Sequence, residues 1–257
     1  MIIKKEKIGN GSHWDVFKIT KIENGKEKFV LHKESRKGAY CVDKNVDNHS
    51  IISSCGLPTL NKFKKISELI IEAEDLNENT NDGYFVSPNT IRSCPSCANV
   101  FLKFIEGKQI EEFEAEKCKD FNFQDLLNNS SIENTDELKN KLIVQSIAES
   151  KLYENKVNEI VNLETFISDA MLDMQKAAEA NIELFFDAFF FRVKSDTNEI
   201  EYKIADFDCI IHHKTNENEE ELIKGNKEYF KTALIEFIVY FVADDKKSDY
   251  TECVNSH

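Results

Sequence analysis

No stretch of this chain is long and apolar enough to cross a bilayer. The longest apolar runs, around Leu184–Val193 and Ala233–Ala243, are short and carry charges, where a spanning helix needs roughly 20 apolar residues. Positive charge is also scarce: 33 Lys and Arg stand against 47 Asp and Glu, for a net charge of -14. That balance argues against nucleic acid or an anionic membrane as the main partner. The opening Met1-Ile2-Ile3-Lys4-Lys5-Glu6 does not read as a secretory signal, so a cytoplasmic location is expected. A disulfide framework is missing too, because the seven cysteines are odd in number and scattered. Cys94 and Cys97 form the one Cys-x-x-Cys pair. A structural zinc site wants a second pair or closely spaced histidines, so a surface turn is expected there, although Cys118 could assist a metal. Neither an internal repeat nor a low-complexity tract is present beyond a bias to Asn, Lys, Glu and Ile.

What is there is a chain of 257 residues, 41 % hydrophobic and 31 % charged, sufficient for one large domain or two lobes with a sizeable core. Its most informative stretch is Tyr202-Lys203-Ile204-Ala205-Asp206-Phe207-Asp208. A short apolar run ends in two carboxylates flanking an aromatic. Such a pair at the end of a buried strand is costly unless a cation meets it, and a divalent metal is the usual reason.

Upstream, Ile2–Ile8 and Val16–Lys21 read as strands, Asn24-Gly25 as a hairpin turn, and Lys28–Lys33 as the returning strand. Gly9 and Gly11, in the turn after the first strand, would let backbone N–H groups approach phosphates. Val42–Ser54 has helical periodicity and stops at Gly56, with Pro58 beyond. Leu60–Ile66 and Leu69–Glu74 are two strands across a Ser67-Glu68 turn. Downstream, Glu159–Ala180 is an amphipathic helix with Ile160, Leu163, Ile167, Met171, Met174 and Ala178 on one side, read as core. Asn181–Phe191 follows, with Phe189–Phe191 as a strand or as half of a core hairpin with Asp187 at its turn. Ile200–Ile204 returns into Asp206, Lys227–Ala243 is a final apolar helix, and Asp244–His257 is expected to be a frayed tail. His212 and His213 beside Asp208 are expected to be solvated.

Taken in this order, the pieces resemble the protein-kinase-like superfamily. The resemblance runs from Gly9 to about Val242 and rests on the glycine turn, the strand lysine in Val30-Leu31-His32-Lys33, the helix, the hairpin, the carboxylate loop and Lys203-Ile204-Ala205-Asp206-Phe207. It implies an α+β, two-lobed kinase-like fold with a small antiparallel β-sheet lobe at 1–76 and a mainly helical lobe at 77–257, carrying an insertion near 77–110. It implies ATP and Mg²⁺ as cofactors. Gly9, Gly11, Val16 and Lys33 would then cover and contact the nucleotide, and Lys33 would also serve catalysis. Asp47, with Asp43 as an alternative, would be the helix carboxylate that pairs with Lys33. Glu72 and Glu74 would flank a hinge that offers backbone groups to adenine, and Val100–Gly107 is a competing hinge. Asp206 and Asp208 would hold metal.

The family's catalytic loop, His-Arg-Asp-Leu-x-x-x-Asn, aligns with departures. Asn181 stands for the histidine, Glu183 for the catalytic aspartate and Ala188 for the metal-binding asparagine; Asp187 is the alternative carboxylate. Trp14 stands where a third glycine is usual. The implied function is an ATP-dependent phosphotransferase, an atypical bacterial or phage serine/threonine kinase acting on an unidentified protein substrate. The alternatives are a pseudokinase that binds nucleotide without transfer, or a small-molecule kinase of the aminoglycoside or choline type with a hydroxyl acceptor.

Overall fold

The computed structural model describes residues 2–10, 13–78, 80–87, 100, 103–112, 152, 155–214 and 218–257. Gly11, the Cys94–Cys97 pair, Cys118 and most of the segment from 113 to 154 lie outside the described residues. Within them the protein is mixed α+β.

Strands β1 (Ile2–Asn10), β2 (Trp14–Glu23) and β3 (Lys26–Ser35) form a meander. The Asn24-Gly25 turn holds both residues at positive φ, 52° and 74°, as a tight hairpin of this twist requires. β2 and β3 outrun the strands read from alternation, because their ladder continues from Trp14 opposite Ser35 to Glu23 opposite Lys26. Helix α1 (Ala39–Ser54) follows and ends before Gly56, which sits at φ 67°. Then β4 (Phe63–Ser67) and β5 (Ile70–Ala73) return, giving an antiparallel sheet of order β1-β2-β3-β5-β4.

Beyond this sheet come helix α2 (Leu163–Glu179), strand β6 (Ile182–Leu184), the hairpin β7 (Phe189–Val193) and β8 (Ile200–Ile204), and β9 (Ile210–His212), which pairs with β6. Helix α3 (Glu219–Phe241) starts well upstream of the expected Lys227. Its start is fixed by Asn218, whose side chain accepts from the Glu221 N–H at 3.3 Å, and by three glutamates in the first turn that complement the helix dipole. The tail expected to fray is helix α4 (Lys247–Ser256). It is held because Val254 is fully buried and the Tyr250 hydroxyl accepts from the Ile160 N–H at 2.9 Å. Val100–Gly107, the competing hinge, is not strand-like where described: residues 103–105 are helical and end at Gly107.

The methionine-bearing stripe of α2 is core, as its spacing implies: Ile167, Met174 and Ala178 are fully buried. It packs on an aromatic cluster in which the Phe230 ring of α3 lies 5.2 Å from Phe189, 5.6 Å from Phe191 and 5.2 Å from Tyr202. Each such ring buried is worth about 1.5–3 kcal/mol. Asn226, fully buried in α3, accepts from the Leu184 N–H at 2.8 Å and donates to the Ile182 carbonyl at 2.8 Å, which pins β6 against the helix. The segment after β5 is zipped by Asn77, whose side chain exchanges two hydrogen bonds with the Phe85 backbone, and Val86 then pairs with Phe191 on the outer edge of β7.

Gly83 makes the closest approach. At φ 93° a Cβ there would stand 2.4 Å from the Val193 carbonyl oxygen. Gly83→Ala is therefore expected to destabilise the protein by about 1–3 kcal/mol. Urea unfolding of the variant checks this, and an unchanged midpoint would show that the loop does not sit against β7.

Candidate functional site

Register decides which side chains share a face of the sheet. Val16 lies opposite Lys33, and Lys33 opposite Ile71, so these three point the same way. Gly9 pairs with Val16 on the neighbouring strand. Lys33 reaches from this face toward the loop after β8, where its Nζ stands 3.9 Å from the Asp206 carboxylate. That is an ion pair longer than a hydrogen bond. The Lys33 side chain is 16 % exposed and that of Asp206 34 %. Lys33 also lies over the Trp14 ring, 5.1 Å from its centroid, within cation–π range.

The Asp206-Phe207-Asp208 stretch opens a 3₁₀ turn at Phe207–Cys209. The Asp206 carboxylate accepts from the Asp208 N–H at 3.4 Å, which caps the turn. Phe207 is fully buried against Phe63 and His49, with ring centroids 4.6 and 5.2 Å away. Helix α1 grips the same turn through side chains on its buried face. Asn48 donates to the Phe207 carbonyl at 2.9 Å and to the Ile210 carbonyl at 3.1 Å. His49 Nε2 bonds the Leu60 carbonyl at 2.9 Å.

Asp208, expected to hold a second metal ion, is otherwise engaged. Asn45 donates to its Oδ1 at 2.7 Å, the Trp14 indole N–H donates to its Oδ2 at 2.5 Å, and His13 Nδ1 lies 3.6 Å from the latter. The physical reason is that the side chain lies beneath the first sheet, where a carboxylate must find donors to be buried. Asp208 thus joins the β1–β2 turn and α1 to the second half of the chain.

Asp47 is exposed and makes no ion pair with Lys33; Asp43 pairs with Lys65 at 2.6 Å instead. Both lie off the α1 face carrying Val42, Asn45, Asn48 and Ile52, which packs inward. Lys33 meets Asp206 in place of a helix carboxylate.

The expected hinge residues are also accounted for. Glu72 sits in β5, which is flanked by β3 and β4, so its backbone belongs to the ladders and cannot serve a ligand. Its side chain lies on the face opposite Lys33, among Lys21 and Lys64 at 3.1 Å each and His32 at 3.5 Å. Burial pushes its pKa up, but the hydrogen bonds from Lys21 and Lys64 outweigh this and leave it below the usual carboxylate value. Glu74 pairs with Lys203 at 3.0 Å and accepts from the Asn61 N–H at 2.9 Å.

Of the two carboxylates expected in a catalytic loop, Glu183 lies within β6 and bonds His213 Nε2 at 2.9 Å. Asp187 lies in the 3₁₀ turn Phe186–Ala188, nearer the Asp206 loop: the Ala205 N–H donates to the Ala188 carbonyl at 3.0 Å. Cys209 reports this convergence. Burial first, then the carboxylates of Asp206, Asp187 and Asp208, push its thiol pKa up to about 12, with Lys33 opposing them. Native Cys209 is therefore expected to react with iodoacetamide at pH 8 on the order of 10³-fold more slowly than in the unfolded chain, since the thiolate is the nucleophile. Mass-spectrometric time courses measure this, and equal rates would contradict the placement.

Sequence reasoning missed Trp14, His13, Asn45, Asn48 and Cys209. The signal for the asparagines is their position on the same helical stripe as Val42 and Ile52. Among the described residues no three His, Cys, Asp or Glu side chains converge as a metal-holding group. A cavity of about 780 Å³ opens elsewhere, between α2, β8 and the connection from α1 to β4, and neither Lys33 nor Asp206 lines it. Comparison with models of known protein families and with curated proteins finds no match.

Proposed function

We propose that this chain is an ATP-dependent phosphotransferase of the protein-kinase-like plan. The observation that carries this reading is Lys33 on β3 reaching Asp206 at the end of β8, with the Asp187 turn tied to the same loop. A lysine from an antiparallel sheet facing a carboxylate after a hairpin is what a nucleotide's phosphates and their Mg²⁺ require, a positive group on one side and a metal ligand on the other. The sheet order β1-β2-β3-β5-β4, with a helix between β3 and β4, supports a two-lobed kinase-like fold. Asp206, which caps the 3₁₀ turn and is a third exposed, is the carboxylate that fits a divalent ion. Asp208, with both oxygens bonded, does not. Mg²⁺ held there would neutralise phosphate charge alongside Lys33.

Asp187, rather than the His213-bonded Glu183, is the carboxylate this reading assigns to the acceptor hydroxyl. A protein serine or threonine remains the acceptor proposed, with a small-molecule hydroxyl as the other class. Nucleotide binding without transfer is the second reading. It is favoured by Ala188, which offers no metal ligand, and by Trp14, which reaches over Lys33 to Asp208. Incubation of the purified protein with Mg²⁺ and γ-labelled ATP separates the two. Label appearing on the protein, on a lysate protein or on a metabolite, and lost in Asp187→Asn, supports transfer; binding with no label anywhere supports the second reading.

A further inference from the structure

The 780 Å³ cavity contains an open rung of a β-ladder. In the β7–β8 hairpin, Phe191 turns its N–H and C=O outward to Val86, and Lys194 pairs with Glu199. By the alternation of an antiparallel ladder, Ile200, Tyr202 and Ile204 then turn their backbone groups away from β7. Two of these three positions are filled. Asn162 closes both groups of Ile200, accepting at 2.8 Å and donating at 3.1 Å. Pro58 and Thr59 close those of Ile204, each at 2.8 Å. No described group pairs with the N–H and C=O of Tyr202 between them, and these face the cavity.

The charge of the walls indicates what would enter. Three carboxylates line it, Asp169 and Asp173 from α2 and Glu201 from β8, against a single lining cation, Lys203. Lys203 is paired with Glu74, Asp173 with Lys176 and Glu201 with Arg192, so Asp169 is the lining charge that an incoming cation would meet. Asp169 is exposed at the rim. Pro58, Phe166 and Ile200 supply an apolar floor.

We infer that this cavity binds a short, extended, basic peptide segment. One residue of the peptide completes the Tyr202 rung with its own backbone N–H and C=O, and a neighbouring lysine or arginine side chain meets Asp169 at the rim. The inference is independent of nucleotide binding, and its test contains no nucleotide.

The probe is a fluorescein-labelled pentapeptide with a lysine–valine–lysine centre, titrated at low salt and read by anisotropy. Saturable binding is expected. It should weaken by about tenfold or more with Asp169→Lys, and by a similar factor when the central valine nitrogen is methylated, which removes the rung donor. A glutamate–valine–glutamate peptide should not bind. Asp169 is exposed, so the variant's fold is not at stake, and circular dichroism verifies it. The inference is overturned if the basic peptide does not bind, if neither change weakens it, or if spermine, which has no amide, displaces it at equal concentration.

Discussion

Asp206→Asn is expected to weaken Mg²⁺-dependent ATP binding by about 100-fold, a change of ~2.7 kcal/mol. ATP binding measured in EDTA should hardly change. The asparagine keeps an oxygen for the Asp208 N–H, so the 3₁₀ turn stays capped. What is lost is the charge that faces Lys33 across 3.9 Å and would hold the ion on the phosphates. The selectivity of the effect is the diagnostic part. A variant that bound ATP equally poorly with and without metal would have lost its fold, and one that bound as the wild type does would show that Asp206 is no metal ligand. Unfolding curves of both proteins separate the first case from a true site effect.

The second large effect concerns stability. Phe230→Ala is expected to cost about 3–5 kcal/mol, the range for removing a large aromatic from a packed core. Phe230 is fully buried and touches rings from three elements: Phe166 of α2 at 5.9 Å, Phe189 and Phe191 of β7, and Tyr202 of β8. The cavity cannot collapse easily, because Tyr202 is held through its hydroxyl, which donates to Asp173 at 2.9 Å. Burial and that neighbouring carboxylate push the phenol pKa well up, so the hydroxyl remains a donor throughout the neutral range. Equilibrium urea unfolding measures the loss, and a cost below about 1 kcal/mol would contradict this packing.

The elements that were legible in the sequence are those with strong local signals. Asn24-Gly25 dictated a hairpin, the spacing of Leu163, Ile167, Met171 and Met174 dictated a buried helix face, and alternation in Ile200–Ile204 dictated a strand. The same hairpin sets Lys33 opposite Val16, a register the structure supplies. Other features depend on long-range partners that periodicity does not encode. Asp208 looks like a second metal ligand until Trp14 and Asn45, far away in sequence, are found on its oxygens. Glu183 was expected at a catalytic position from the resemblance, yet β6 places it beside His213. Asp47 reads as a helix carboxylate, but which face of α1 turns inward was set by asparagines, which hydropathy does not count as core. The Asp244–His257 tail is polar enough to read as frayed, yet long-range contacts, among them those of Tyr250 and Val254, hold it as a helix.

Titration calorimetry of the wild-type chain with ATP, with and without Mg²⁺, tests most directly whether the Lys33–Asp206 pair receives a nucleotide. Saturable binding is expected, one nucleotide per chain, strengthened by the metal. Absence of binding under both conditions would contradict it and leave Tyr202–Asp208 as a strand and a turn that tie the two halves of the chain together.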